Sequence, residues 1–548
     1  MEKKHAPIYI IKINRIDETS YLPQYEYDKK IKCCVVMGID NGFIEDSAKS
    51  SHTKNSKSSR FSKNVLTLFG GTTAAQLITI LASPIVTRLY SPEAFGVFSI
   101  FISITGILAV IACLRYELAI MLPESDKEAA NVFGLCILIS TSLSILSIPT
   151  LILSQQIIIQ YIQNPLLVNF FWLFPIAIFL NGIFSALNYW NSRTKSFYRL
   201  SIAQIFKSSS STGIQIGFGS VGYATAGVLI SANIIALLVS TLVLGIQVLK
   251  EYMLFFKQNI QWDGIVNALK QYIRFPKYDI WSALLNTIST MLPIFILTAY
   301  FNPAIVGYYA LGYMVLHLPV TLIGSSISQV FFQKAAEIKN INKEQLRDTV
   351  EKTVKPLIFL IFFPILLLML IGPELFSVVF GVKWEEAGVY ARYLSLWIGI
   401  VFISQPITTL FSIFQKQQFS LIFNIFQIIS RIIALLIGAI MGNALIAIIL
   451  FALVGFISNL IAYRYLLGLV DISIRIPANI AFHYLLLSVP SIILIILFQF
   501  FLSNIFLIVI LSLIVSIIFY IVVLKKDPEL FNSLKNITSQ IPGINRYL

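Results

Sequence analysis

Residues Phe61–Pro123 read FSKNVLTLFGGTTAAQLITILASPIVTRLYSPEAFGVFSIFISITGILAVIACLRYELAIMLP. The stretch holds two apolar runs of about 20 residues, the length that crosses a hydrocarbon core, joined by the short turn Ser91–Glu93. The first run carries Gly70, Gly71, Thr72, Thr73, Gln76, Thr79, Ser83 and Pro84, too polar a set to face lipid on every side. The second ends in Leu114-Arg115-Tyr116-Glu117-Leu118, with charges where hydrocarbon still lies close. Polar groups in a span face a bundle interior or a watery cavity. The stretch therefore predicts a helical hairpin that lines such a cavity.

The rest of the chain follows this pattern. Its 548 residues are 57% hydrophobic and 12% charged, against about 25% charged in soluble domains. An all-α polytopic membrane protein is the class implied. Spans are expected near 65–87, 94–114, 131–153, 168–190, 200–219, 224–248, 279–300, 304–331, 355–380, 387–412, 419–440, 444–466, 480–501 and 504–524, about fourteen in all. The fifth, with Lys207 before four serines and Thr212-Gly213, is the most polar; an inward-facing helix tolerates that. Residues 1–63 form a polar tail, Ser/Lys-rich over Ser47–Ser62 and expected to be flexible, with Met37 an alternative start. A polar leader before the first apolar run is the wrong order for a cleavable signal peptide.

Loop charge sets an expected orientation. With the N-terminus cytosolic, most of the 40 Lys and Arg fall in the tails and in the loops after even-numbered spans. Ser91–Glu93, Gly219–Tyr223, Asn302–Pro303 and Gly442–Asn443, on the other side, carry none; Lys383 is the exception. Both termini are thus expected in the cytosol of a multi-pass protein of the inner membrane. The same asymmetry accounts for the net charge of +14 without nucleic acid. Cys33, Cys34, Cys113 and Cys136 have no metal-ligand spacing, and no disulfide is expected.

Two inward loops are long. Lys250–Asp279, with Trp262, Ile265, Val266, Leu269 and Ile273 among charges, reads as an interfacial amphipathic helix joining two halves. Gln333–Lys355 reads as a solvated helix continuing span eight. The expected layout is a 64–249 lobe, a 250–278 linker, a 279–467 lobe, a 468–526 helix pair and a 527–548 tail.

The opening hairpin has an echo. Pro84 and the turn Ser91-Pro92, then Gly96 and Phe98, match Pro293 and the turn Asn302-Pro303, then Gly307 and Tyr309. The turn prolines stop one helix and start the next, and the glycines permit close helix contact. Both hairpins enter from one side, so the halves are parallel repeats about an axis along the membrane normal. Pro84 and Pro293 are hinges or fixed kinks.

These residues resemble a family. Gly70-Gly71 through Pro84 and Arg88 to Gly96, Arg115-Tyr116-Glu117 through Pro123, Phe275-Pro276-Lys277-Tyr278-Asp279 through Phe332, and Trp384-Glu385-Glu386-Ala387 leading to Trp397 are similar to the Wzx-type oligosaccharide flippases. Those belong to the multidrug/oligosaccharidyl-lipid/polysaccharide exporter superfamily. The resemblance covers about residues 60–530. It implies a MATE-like, two-lobed alternating transporter that flips undecaprenyl-diphosphate-linked oligosaccharide for O-antigen, capsule or exopolysaccharide synthesis. Polymerase and chain-length proteins of the same pathway are implied partners.

Such cargo needs a polar, cationic cavity, for which arginine's fork suits a diphosphate. Arg431, near the middle of span eleven, and Lys207 are cavity candidates, with a structural ion pair or buried tether and a cytosol-reaching lysine as the alternatives. Arg115 and Arg392 are candidates that also fit snorkelling charges, and Gln76 and Asn286 add hydrogen-bond groups. Glu117, His317, Asp279, Arg88, Pro84 and Pro293 are candidates for coupling or gating. For His317 the alternative is packing, for Asp279 a helix cap, for Arg88 an interfacial anchor. On a regular helix Arg115 and Glu117 diverge by about 200° and do not meet.

No phosphate loop, metal-spaced histidines or nucleophile motif is present, so no enzyme, cofactor or metal is expected, and transport is expected to draw on a gradient. A small-molecule antiporter of the same superfamily is the alternative. It calls for carboxylates in the spans, where Arg and Lys predominate. A polymerase or ligase of the pathway would carry long outward loops, and here they are short.

Overall fold

The computed structural model describes residues 70–162, 168–339, 342–527 and 530. The 1–63 tail, with Cys33, Cys34 and Met37, and nearly all of the 527–548 tail lie outside these residues. Helix α1 covers 70–89 and α2 Pro92–Ile111. A 3-10 turn, Tyr116–Met121, leads into α3, Asp126–Ile162, then α4, Leu173–Arg193. Helices α5, Phe197–Ser220, and α6, Ala226–Asn259, precede the short α7, Trp262–Gln271. A π turn, Phe275–Asp279, opens α8, Ile280–Tyr300. Helix α9, Pro303–Pro319, passes through a second π turn, Val320–Gly324, into α10, Ser325–Ile338. Then follow α11, Lys343–Phe380, α12, Glu385–Ser404, α13, Gln417–Ile440, α14, Ala444–Gly468, α15, Arg475–Phe501, and α16, Ile505–Lys526.

The described residues are mostly helical, without a strand, and hold 12 segments long and apolar enough to cross a membrane. Helices α1 and α5 occupy the positions of the first and fifth expected spans but are too polar to count among the 12. The polarity of α1 has a geometric reason. Leu77, Leu81 and Ile85 form one exposed stripe, while Thr79, Ser83 and Thr87, offset by two residues, line an internal cavity. Two residues are about 200° on a helix, so the stripes lie on opposite faces. Pro84 has no N–H for the Ile80 carbonyl, and the Ser83 hydroxyl donates to that oxygen instead, at 2.7 Å.

The echoed hairpin turns use one device twice. Ser91 accepts from the Ala94 N–H ahead of Pro92, and Asn302 accepts from the Ile305 N–H ahead of Pro303. The two helices so started cross each other. A methyl group at Gly96 would lie 1.8 Å from the Pro303 carbonyl oxygen, and one at Gly307 would lie 2.0 Å from that of Pro92. The contact is reciprocal, as two equivalent elements about an axis require, and only glycine at both positions lets the backbones meet.

Three expectations need correction. Helix α6 runs eleven residues beyond the expected end of span six, to Asn259, so the amphipathic linker helix proper is the shorter α7. Residues 343–355 extend α11 rather than span eight, because Asn342 accepts from the Glu344 and Gln345 N–H groups and starts a new helix there. Arg115 and Glu117 do meet. Helix α2 ends at Ile111, and Leu114 and Arg115 take left-handed backbone angles, φ 49° and 68°, so helical geometry no longer separates them.

Cys113 and Cys136 are buried and unpaired. They belong to a second apolar cluster around Trp190, Phe133 and Phe256. Helix α7 presses Ile265 and Ala268 into that cluster.

Candidate functional site

A cavity of about 320 Å³ lies among α1, α2, α5 and α6, with Met314 of α9 at its edge. Helix α5 supplies Gln204, Lys207, Ser208, Ser211, Thr212 and Gln215, a spacing of three and four residues that keeps them on one face. Helix α1 adds Thr79, Ser83 and Thr87, and α6 adds Asn233. Lys207 sits near the middle of the 24-residue α5, with its ammonium 5.4 Å from the centre of the Phe184 ring. No Asp or Glu is among the lining residues. A lone cation among hydroxyl and amide groups offers donors to an oxygen-rich anion or a sugar.

At the end of the bundle that carries the linker, Arg115 gathers two carboxylates. Its Nε donates to Asp279 Oδ2 at 2.8 Å, and its guanidinium lies 3.4 Å from Glu117 Oε1. Asp279 makes no capping bond to α8; its partner is Arg115. Burial pushes the Glu117 carboxyl above its ordinary value, partly offset by a backbone hydrogen bond and by Arg115. This cluster joins the turn after α2 to the start of α8.

The opposite end, where the hairpin turns lie, closes differently. Gly381, at φ 106°, ends α11 and turns the chain back toward α1. Trp384 is fully buried, and its indole N–H donates to the Thr87 carbonyl at 2.7 Å. Lys383 donates to the Arg88 carbonyl at 3.0 Å, and the Arg88 guanidinium donates to the Val378 carbonyl at 2.8 Å. Phe95 and Tyr308 pack edge-on against Trp384, beside the Gly96–Gly307 crossing.

The sequence profile of a family described as "Polysaccharide biosynthesis protein" matches residues 85–389, a range that takes in both hairpin turns, the Arg115 cluster and Lys207. The chain belongs to this family. A lipopolysaccharide biosynthesis protein, WzxC, of Escherichia coli K12 is 26% identical over 214 residues, 38% of this chain and 43% of WzxC. An uncharacterized membrane protein in the cps region of Klebsiella pneumoniae is 26% identical over 202 residues, 37% of this chain and 41% of its own. The chain thus spans about two-fifths of the length of these relatives. Among solved structures, the lipid II flippase MurJ in an inward closed conformation has a TM-score of 0.63 at 15% identity, covering 82% of this chain and 97% of MurJ. An inward-facing multidrug resistance MATE family transporter of the MOP superfamily has a TM-score of 0.57 at 17% identity, covering 72% and 94%. The fold is therefore the MurJ/MATE fold.

Within this family member the candidate residues separate. Lys207 lines the cavity; Arg431, Arg392, Gln76 and Asn286 do not. Arg431 is buried within the second half, its guanidinium 5.0 Å from the Trp397 ring and 5.6 Å from Phe451. Its Nε has no hydrogen-bond partner, and no carboxylate pairs with it among the described residues. Tyr313 stacks between Trp397 and His317, which places His317 beside this aromatic box. Arg392 donates to the Leu370 carbonyl at 3.1 Å, exposed by the non-helical Ile371 ahead of Pro373, and lies 4.0 Å from Glu374. Gln76 and Asn286 are exposed. Pro84 and Pro293 sit inside α1 and α8.

Sequence reasoning passed over Asn233, Trp384 as a latch, and Glu374 with Gln499, whose amide donates to the carboxylate at 2.8 Å. Asn233 and Glu374 are lone polar residues in apolar runs, and that was the signal available.

Proposed function

We propose that the chain flips an undecaprenyl-diphosphate-linked oligosaccharide across the bacterial inner membrane by alternating access, in O-antigen, capsule or exopolysaccharide synthesis. The observation that carries this reading is the Lys207 cavity, a mid-span cation among hydroxyls and amides with no carboxylate in its lining. Membership of a polysaccharide biosynthesis family, a relative named for lipopolysaccharide biosynthesis and a fold like that of a lipid II flippase support it. An open apolar groove of about 480 Å³, walled by residues such as Phe362, Met369, Ile400 and Leu485 of α11, α12 and α15, offers lipid tails a path on the bundle surface.

In this proposal Lys207 meets the phosphates or first sugars, and Arg431 in its aromatic box is a second cation exposed as the halves rock. The halves are 64–249 and 279–467, joined by the 250–278 linker and followed by the 468–526 pair; the reciprocal Gly96–Gly307 contact supports their equivalence. The linker end and both termini face the cytosol, and the hairpin turns face the periplasm. The chain acts as a transporter rather than an enzyme. Polymerase and chain-length proteins receive its product.

The test is export of surface polysaccharide by cells whose only copy carries Lys207→Ala, Arg431→Ala or Arg115→Ala at wild-type abundance. Loss of export with lipid-linked repeat units retained on the cytosolic side is expected for Lys207→Ala, and normal export by all three would refute the cationic path. A small-molecule antiporter is the competing reading. The missing carboxylate in the cavity disfavours it, since an organic cation finds no counter-charge there.

A further inference from the structure

We propose that α7 and its flanking residues form a binding surface for anionic phospholipid headgroups, and that lipid held there tightens the Arg115–Asp279 closure. The three faces of α7 carry the first part. Ile265 and Ala268 point into the Trp190 cluster. Trp262 and Leu269, on a second face, and Ile273 in the turn after the helix are left exposed, Trp262 by 66%. Asp263, Asn267 and Lys270 form a third, polar face, and Arg274 follows just past the helix. A short helix with one face docked, one apolar face open and one basic face beside it is built to lie in a headgroup layer.

Charge complementarity selects the occupant. Lys250, Lys257, Lys270, Arg274 and Lys277 are all exposed, and among the described residues none pairs with a carboxylate. The acids of the segment are largely consumed elsewhere: Glu251 pairs with Arg199 and Asp279 with Arg115. Asp263 alone is left against five cations. An apolar stripe beside unpaired basic residues matches an anionic lipid, whose tails and headgroup meet both at once.

Three bonds transmit the occupancy. The Tyr116 hydroxyl donates to the Leu269 carbonyl at 2.9 Å, tying α7 to the residue between Arg115 and Glu117. The buried Asn131 of α3 accepts from the Gln261 N–H at 2.9 Å and donates to the Asn259 carbonyl at 3.1 Å, fixing the entry to α7. Downstream, the segment after α7 ends on Asp279 itself. Lipid that immobilises α7 therefore immobilises both partners of the closure.

The experiment uses the full chain in nanodiscs of phosphatidylcholine alone or with phosphatidylglycerol added, with no transport substrate, so its outcome is independent of the transport reading. Retained phosphatidylglycerol is counted by native mass spectrometry. The distance between nitroxides at Glu124→Cys and Ser282→Cys, in a background without the native cysteines, reports the closure. Phosphatidylglycerol is expected to shorten and narrow that distance. Neutralising Lys257, Lys270, Arg274 and Lys277 to Gln is expected to cut retention by more than about tenfold and abolish the shortening. Tyr116→Phe is expected to keep the lipid and lose the shortening. Retention unchanged in the fourfold variant overturns the surface. A full lipid response in Tyr116→Phe overturns the coupling.

Discussion

The two ends of the bundle close by different physics. At the turn end, backbone meets backbone at Gly96 and Gly307, and a fully buried indole caps the contact by binding the Thr87 carbonyl. At the linker end, Arg115 spans two carboxylates, its side chain 25% exposed and that of Asp279 42%. Close packing is dry and all-or-none, because a misfit of one methyl group has nowhere to go. A half-exposed ion pair is graded, since salt, protons and neighbouring charges all reach it. One end therefore behaves as a fitted seal and the other as an adjustable clasp. In the proposed transport cycle such a pair would hold one state by shape and bias its release by charge.

The largest effect should come from breaking the seal. Gly96→Ala and Gly307→Ala each force apart two backbones and should destabilise the protein by about 1–3 kcal/mol. The double variant should cost less than the sum, because both substitutions strain one crossing; strictly additive shifts in thermal denaturation would mean that the two glycines do not share a contact. Trp384→Phe keeps the ring but strands the Thr87 carbonyl, for about 1–2 kcal/mol, read in the same assay. Arg115→Ala or Asp279→Ala should cost about 1 kcal/mol or less, given the pair's exposure. The difference from wild type should shrink as salt rises, whereas a salt-independent loss would place the pair on the dry side of the comparison.

Glu117→Gln should have the smallest effect and the opposite sign. Burial raises the Glu117 carboxyl, so the folded arrangement favours its protonated form. That contribution is fully present below the unfolded pKa and is lost as pH rises through the folded one. At neutral pH the substitution should thus stabilise by less than about 1 kcal/mol, and the gain should vanish on acidification. A Glu117→Gln variant less stable than wild type at neutral pH would show that the Arg115 contact outweighs the burial.

Much of the site was legible along the chain. Of the polar residues noted in α1, Thr79 and Ser83 line the cavity while Gln76 is exposed, and of the four consecutive serines of α5, Ser208 and Ser211 line it. The matching turns at Ser91-Pro92 and Asn302-Pro303 announced a repeat, and their glycines lie in mutual contact. Arg115, Glu117 and Asp279 were each suspect as charges near spans. Their meeting was hidden, because it depends on left-handed backbone angles at Leu114 and Arg115 and on residues 164 positions apart. Arg392 read as a cavity residue or a snorkelling charge, and its hydrogen bond goes to a carbonyl that the kink at Ile371 exposes.

By itself the sequence determined a multi-span helical membrane protein, the approximate places of its spans and tight turns, and which residues share a face. Those follow from local causes: apolar length, prolines, caps and a period of 3.6 residues. The tertiary structure alone decided that Lys207 opens into a polar cavity while Arg431 is enclosed by Trp397 and Phe451. Both are lone cations near the middle of a helix. What separates them is the rotation of each helix about its axis, and that is set by the neighbours packed against it rather than by its own residues.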